Sequence, residues 1–167
     1  RGRGTRHGRR LTRHGRALRL RTHGRRLGAR LRRGHRWSDG TPVTAEDFRF
    51  AWEDVALNPE ISRGGVPAEL RVNGQPPRFE IIDELTVRYS WDDPNPGFLS
   101  QLASAAPPRL LLPSAYLRGF HADYQTAEAL APMIKEQRVD DWVALIQKMG
   151  RQNRPENPDL PTLEAWV

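Results

Sequence analysis

Charge is segregated along this chain more sharply than any other property, and the segregation limits what can fold. Residues 1–36 hold 15 arginines and no acid, and the first carboxylate is Asp39. After residue 36 the remaining 12 of the 27 lysines and arginines face all 20 acids. Like charges this dense repel one another, and the interspersed glycines weaken any helix. Leu11, Leu18, Leu20, Leu27 and Leu31 are too few for a core-facing helical stripe. Residues 1–30 use only Arg, Gly, His, Leu, Thr and Ala, in a crude repeat: Thr5-Arg-His-Gly-Arg-Arg-Leu11, Thr12-Arg-His-Gly-Arg-Ala-Leu18, Thr22-His-Gly-Arg-Arg-Leu27. We expect residues 1–30 to be a low-complexity head, either disordered or translated from a wrong reading frame through GC-rich DNA. The domain proper is expected to span residues 31–167.

Bulk composition closes several other routes. With no cysteine, a disulfide-stapled scaffold and a Cys-ligated zinc site are excluded. No run of about 18 apolar residues exists to span a membrane as a helix. The head offers no apolar stretch of the kind a signal peptide needs. Both termini read as cuts in a longer protein.

Beyond the head the texture is α/β. Leu31–Trp37 is expected as a strand running into a Ser38-Asp39-Gly40 turn. Thr44-Ala-Glu-Asp47 approximates a capping box and opens a helix. Its apolar face is Phe48, Ala51, Trp52 and Val55, and Asn58-Pro59 ends it. Residues 58–77 form a Pro- and Gly-rich loop. Phe79–Ile82 and Leu85–Trp91 read as a hairpin about Asp83-Glu84, with Leu85, Val87, Tyr89 and Trp91 on one side. Short helices are expected at Phe98–Ala103 and Ser114–Phe120, with a break at Pro107-Pro108. Leu110–Leu112 reads as a buried strand. Thr126–Gln137 and a segment from Val139 to Met149 are further helices.

Chemistry-bearing arrangements are scarce. Fifteen arginines would release many counterions from a nucleic acid, so an Arg-rich nucleic-acid-associated protein with a small α/β body is the alternative function class. Against it, no aromatic precedes Trp37 to stack on bases, and no recognised module follows. His7, His14, His23, His35 and His121 show no ligand spacing, so no metal residue is assigned. Adjacent acidic pairs such as Glu46-Asp47 and Asp140-Asp141 point about 100° apart on a helix and do not converge. Asp47 and Asp140 suit helix N-termini, where the dipole favours negative charge. No Gly-x-Ser-x-Gly elbow, thiol or phosphate loop appears, so no catalytic residue and no enzyme activity is assigned. Trp37, Trp52, Trp91, Trp142 and Trp166 are expected mostly in the core.

One block is distinctive. Leu31-Arg-Arg-Gly-His-Arg-Trp-Ser-Asp-Gly-Thr-Pro-Val-Thr-Ala-Glu-Asp-Phe48 resembles a signature of bacterial extracellular solute-binding proteins, family 5, the peptide/nickel-class receptors of ABC importers. Phe79–Arg88, Leu112–Tyr124 and Asp159–Trp166 are similar to later segments of that family, in the same order. The resemblance implies an α/β fold, part of the first lobe of a two-lobed periplasmic-binding-protein type II-like architecture, with a mixed sheet and flanking helices. It implies a substrate-binding component that captures short peptides or a related small solute, without catalysis or cofactor. Its partners would be a peptide ligand and a membrane permease, with no nucleic acid, and the receptor would be a monomer. Its location would be periplasmic or otherwise extracytoplasmic, free or lipid-anchored. Trp37, Ser38, Asp39, Gly40, Pro42, Thr44 and Asp47 are the positions that match the signature. They are expected to be scaffold, and no ligand-binding residue is carried over.

Overall fold

The computed structural model describes residues 18–103, 109–151 and 157–163. Its centre is a four-stranded sheet made of β1 (Leu18–His23), β2 (Arg26–Leu31), β3 (Arg78–Asp83) and β4 (Thr86–Ser90). The order is β1-β2-β4-β3, and every pairing is antiparallel, where a mixed sheet was expected.

The first two strands correct the expectation for the head. Residues 18–30 are not disordered, and the boundary placed at residue 30 falls inside a strand. The physical reason is a period of two that the arginine count conceals. Leu18 pairs with Leu31 and Leu20 with Ala29, while Arg19 pairs with Arg30 on the other face. Leu27 and Ala29 are fully buried. Gly24, at φ +55°, makes the turn between the strands. The expectation for residues 1–17 lies outside the described residues.

The strand expected at Leu31–Trp37 ends at Leu31. The chain then turns, and only an isolated bridge joins Arg36 to Pro42. Helix α1 (Ala45–Arg49) starts at Thr44 with a complete capping box to Asp47. It continues as a π-helix over Phe50–Ala56, closed by the Leu57 amide donating to the Trp52 carbonyl at 2.9 Å. Leu57 ends it, one residue before the Asn58-Pro59 stop. The expected hairpin is present, but it turns at Glu84-Leu85 where Asp83-Glu84 was expected, because a register shift between Ile81 and Asp83 carries Asp83 into β3.

Helices α2 (Phe98–Leu102), α3 (Ser114–Leu117), α4 (Ala127–Gln137) and α5 (Trp142–Met149) follow, with short 3-10 helices at Ala68–Leu70, inside the expected loop, and at Arg118–Phe120. Side-chain caps from Thr126 and Asp141 start α4 and α5. Thus Asp141, not Asp140, is the capping acid. Leu110–Leu112 joins no ladder. It has no regular secondary structure, and its Leu110 and Leu112 are buried. Pro107-Pro108 and Trp166 lie outside the described residues.

The helices cover one face of the sheet. Leu27, Ala29, Leu31, Val87 and Tyr89 meet Trp37, Phe48 and Trp52 in the main core. A second cluster holds Phe50, Ala51, Leu112, Leu117 and Ile146. The α1 and π-helical segment belongs to both, with Phe48 and Trp52 in the first cluster and Phe50 and Ala51 in the second.

Candidate functional site

The signature residues converge on one buried carboxylate. Asp47 is 3% exposed. Its Oδ2 accepts from the Trp37 indole Nε1 and from the Thr44 amide, each at 3.1 Å. Its Oδ1 accepts from the Ser114 amide at 3.0 Å and the Ser114 hydroxyl at 2.7 Å. Four donors on one ionised group satisfy both oxygens, which is the condition for burying a carboxylate. Asp47 therefore does more than face the helix dipole, because it joins segments up to 67 residues apart in sequence.

The remaining signature residues shape the turn that delivers Trp37. The Gly40 amide returns to the Trp37 carbonyl at 2.9 Å, and Gly40 sits at φ +86°, a conformation that favours glycine. Asp39 Oδ1 accepts from the Thr41 amide and hydroxyl at 2.9 and 2.7 Å. Pro42 lies in the bridge opposite Arg36. Ser38 reaches across the chain, its amide donating to the Thr162 carbonyl and its hydroxyl accepting from the Thr162 amide, both at 3.0 Å. The Ala45 amide donates to the Glu84 carbonyl in the hairpin turn at 2.8 Å. The Leu112 amide donates to the Asp47 carbonyl at 3.3 Å. The four sequence blocks that carry the resemblance thus meet physically at this junction. Ser114 is the member that residue reading missed, since nothing local marks it.

A second polar group lies on the outer side of α1. Arg49 binds Glu46 at 2.7 Å, Glu53 at 2.9 Å, Asp54 at 2.9 Å and the Tyr124 hydroxyl at 3.0 Å. The Glu46 carboxylate, followed by those of Asp54 and Glu53, raises the Arg49 pKa far above its ordinary value, against some loss from burial. The guanidinium stays charged at every accessible pH. Arg118 also pairs with Glu46 and lies 4.9 Å above the Tyr124 ring.

His121, which had no nameable partner in the sequence, is fully buried beside this group. Its Nδ1 accepts from the Asp123 amide at 3.1 Å, so Nε2 carries the proton and donates to the Asp54 carbonyl at 3.0 Å. Phe50, Tyr124 and Trp142 surround the ring at 5.9, 5.6 and 4.8 Å between centroids. Both nitrogens are engaged in these hydrogen bonds.

Among the tryptophans, Trp37, Trp52 and Trp91 are buried. The Trp91 indole donates to the Leu70 carbonyl at 2.7 Å. Trp142 is half-buried and donates to Glu60 at 3.1 Å. A small apolar hollow lies between the π-helix, Leu70, Leu110 and the Tyr89 ring. The Tyr89 hydroxyl is buried without a hydrogen-bond partner, and burial pushes its pKa up. Among the described residues no three His, Asp or Glu side chains gather as a metal site. No described helix is long and apolar enough to cross a membrane.

The described residues form a helix-backed antiparallel sheet tied to its helices by a buried carboxylate junction. Residues 20–137, well over half the chain, match the model of bacterial extracellular solute-binding proteins, family 5 (middle). The chain belongs to that family. It is 35% identical over 75 residues to the periplasmic alpha-galactoside-binding protein of Rhizobium meliloti (strain 1021), covering 44% of this chain and 10% of that protein. Among solved structures, the oligopeptide-binding protein OppA superposes with a TM-score of 0.69 and 29% identity, covering 87% of this chain and 22% of that one. The periplasmic binding protein MelB of Agrobacterium fabrum C58, solved in complex with stachyose, gives 0.58 at 22% identity, covering 90% and 20%, a likeness of fold. The chain therefore spans between a tenth and about a fifth of the length of these relatives.

Proposed function

We propose that this chain is part of the solute-capturing receptor of an ABC importer, working outside the cytoplasmic membrane, and that its solute is a short peptide. The likeness to OppA supports this reading most, because it combines the higher TM-score with 29% identity over 87% of the chain. A receptor of this kind closes two lobes over its ligand by a hinge motion. Strand edges pair with an extended peptide backbone, and water fills the side-chain pockets. It needs neither catalysis nor a cofactor, and it acts as a monomer handing solute to a membrane permease.

In this reading Trp37, Ser38, Asp39, Gly40, Pro42, Thr44 and Asp47 are scaffold. The burial of Trp37 and Asp47 supports that role, since neither can reach a ligand. The likeness to the alpha-galactoside-binding protein favours a second reading, in which the solute is an oligosaccharide.

Calorimetry on the full-length parent separates the two. Heat from pools of short peptides supports the first reading, and heat from α-galactosides alone transfers the assignment to the second. Silence from both overturns the receptor reading. The 167-residue chain offers only part of one lobe and is expected to bind neither solute tightly. Sub-micromolar binding by it would refute the need for both lobes.

A further inference from the structure

The face of the sheet turned away from the helices is an array of arginines. The pairing register places Arg19 and Arg21 of β1, Arg26 and Arg30 of β2, Arg88 of β4 and Arg78 of β3 on it. Two acids of the four strands share this face: Glu80, bound to Arg88 at 3.5 Å, and Asp83, opposite Thr86 and within the field of Arg30, while Arg78 is taken by Asp92 at 2.6 Å. Arg19, Arg21, Arg26 and Arg30 are exposed and form no ion pair among the described residues. Arg19 stands directly opposite Arg30, and His23 opposite Arg26. Like charges in that relation destabilise a sheet, so folding gains nothing from them. At the strand ends Arg19, Arg30, Arg32 and Arg33 surround an open depression of about 530 Å³ with Leu31 and Leu85.

From this arrangement we infer that the arginine face docks on an anionic phospholipid surface, with a headgroup phosphate seated among Arg19, Arg30, Arg32 and Arg33. The planar guanidinium fork matches phosphate oxygens in pairs. A broad four-stranded face meets a bilayer more readily than a DNA groove, which admits a helix or a two-stranded ribbon. No aromatic residue stands among the face positions to stack on the bases of a single strand. Membrane attachment by this face is independent of which solute the receptor carries, and its failure would leave the solute reading intact.

The test is co-sedimentation of the full chain with vesicles of phosphatidylcholine alone and of phosphatidylcholine with phosphatidylglycerol. A face variant, Arg19→Gln/Arg21→Gln/Arg30→Gln, is compared with a control of equal net charge, Arg63→Gln/Lys135→Gln/Arg151→Gln, whose exposed side chains lie off the sheet. Each arginine near an anionic surface strengthens binding about fivefold, so the face variant is expected to bind on the order of a hundredfold more weakly at low salt. The control is expected to stay within a few fold of wild type, and neutral vesicles to retain none of the proteins. Circular dichroism confirms that both variants fold, and the replaced side chains are all exposed. Equal losses in both variants would assign binding to net charge, and an unchanged face variant would assign it to residues 1–17. Capture by duplex or single-stranded DNA but not by anionic vesicles would make the partner a nucleic acid. Any of these outcomes overturns the inference.

Discussion

Replacing Asp47 by Asn and by Ala should separate charge, geometry and burial at the junction. In Asp47→Ala all four donors lose their acceptor. Thr44 is half-buried and its amide can turn to water, and the Ser114 hydroxyl can rotate. The Trp37 indole N–H and the Ser114 amide have no such escape, since those residues are 3% and 5% exposed. Each stranded buried donor costs about 1–3 kcal/mol, so the variant should lose roughly 4 kcal/mol. Asp47→Asn keeps the shape and one acceptor oxygen. Its best orientation leaves that oxygen to Trp37 and Thr44, while its NH2 donates to the Ser114 hydroxyl. Only the Ser114 amide is then stranded, at a cost of roughly 2 kcal/mol. For a chain of this size, 1 kcal/mol moves Tm by about 2–4 °C. Thermal unfolding followed by circular dichroism should show drops of roughly 4–8 °C for Asn and 8–16 °C for Ala. An Asn variant as stable as wild type, or an Ala variant no worse than Asn, would refute the account of Asp47 as a four-donor hub.

Two further outcomes are expected. Arg19→Glu turns a repelling cross-strand pair into an attracting one with Arg30, and urea unfolding should show a gain of at most about 1 kcal/mol, reduced by solvent screening and erased by high salt. A loss of stability at low salt would mean that the two side chains do not face each other. Asp83 accepts from the Leu85 amide at 2.9 Å, and that bond, helped by Thr86 and the field of Arg30, holds its pKa below the ordinary value. A folded pKa below the unfolded one gives a contribution fully present above the ordinary carboxylate value and lost as pH falls through the folded one. Carboxyl titration by NMR should place Asp83 below about 3.9, and Asp83→Asn should remove its share of the acid-side loss.

Local signals carried much of the fold. Thr44 with Asp47 announced the helix start, Ser38-Asp39-Gly40 the turn, and the alternation from Leu85 to Trp91 the strand, because each operates within a few residues. The β1–β2 hairpin had an equally local signal in Leu18, Leu20, Leu27, Ala29 and Leu31. The density of arginines masks that signal, although arginines on a solvent face cost a strand little. The π-helical continuation past Arg49 has no mark in the spacing of Phe48, Ala51, Trp52 and Val55, which fits an ordinary helix equally well. The Asp47–Ser114 contact is invisible for a different reason. A serine after Leu-Pro is common, and only the folded chain brings it to a carboxylate 67 residues earlier. His121 shows the same limit, with its partners at Asp54 and Asp123 set by tertiary contact.

The wiring of the Asp47 junction also sets an order of events during synthesis. The hairpins β1–β2 and β3–β4 close over a few residues and can form as soon as they emerge. The carboxylate cannot be satisfied until Ser114 has left the ribosome, and the signature turn awaits Thr162 for its last two hydrogen bonds. Through that interval the Trp37 indole and the Asp47 carboxyl lack part of the bonding that surrounds them in the folded chain. The junction therefore closes in two stages, Ser114 first and Thr162 last, so a chain cut between them would keep the buried carboxyl but lose the tie at Ser38.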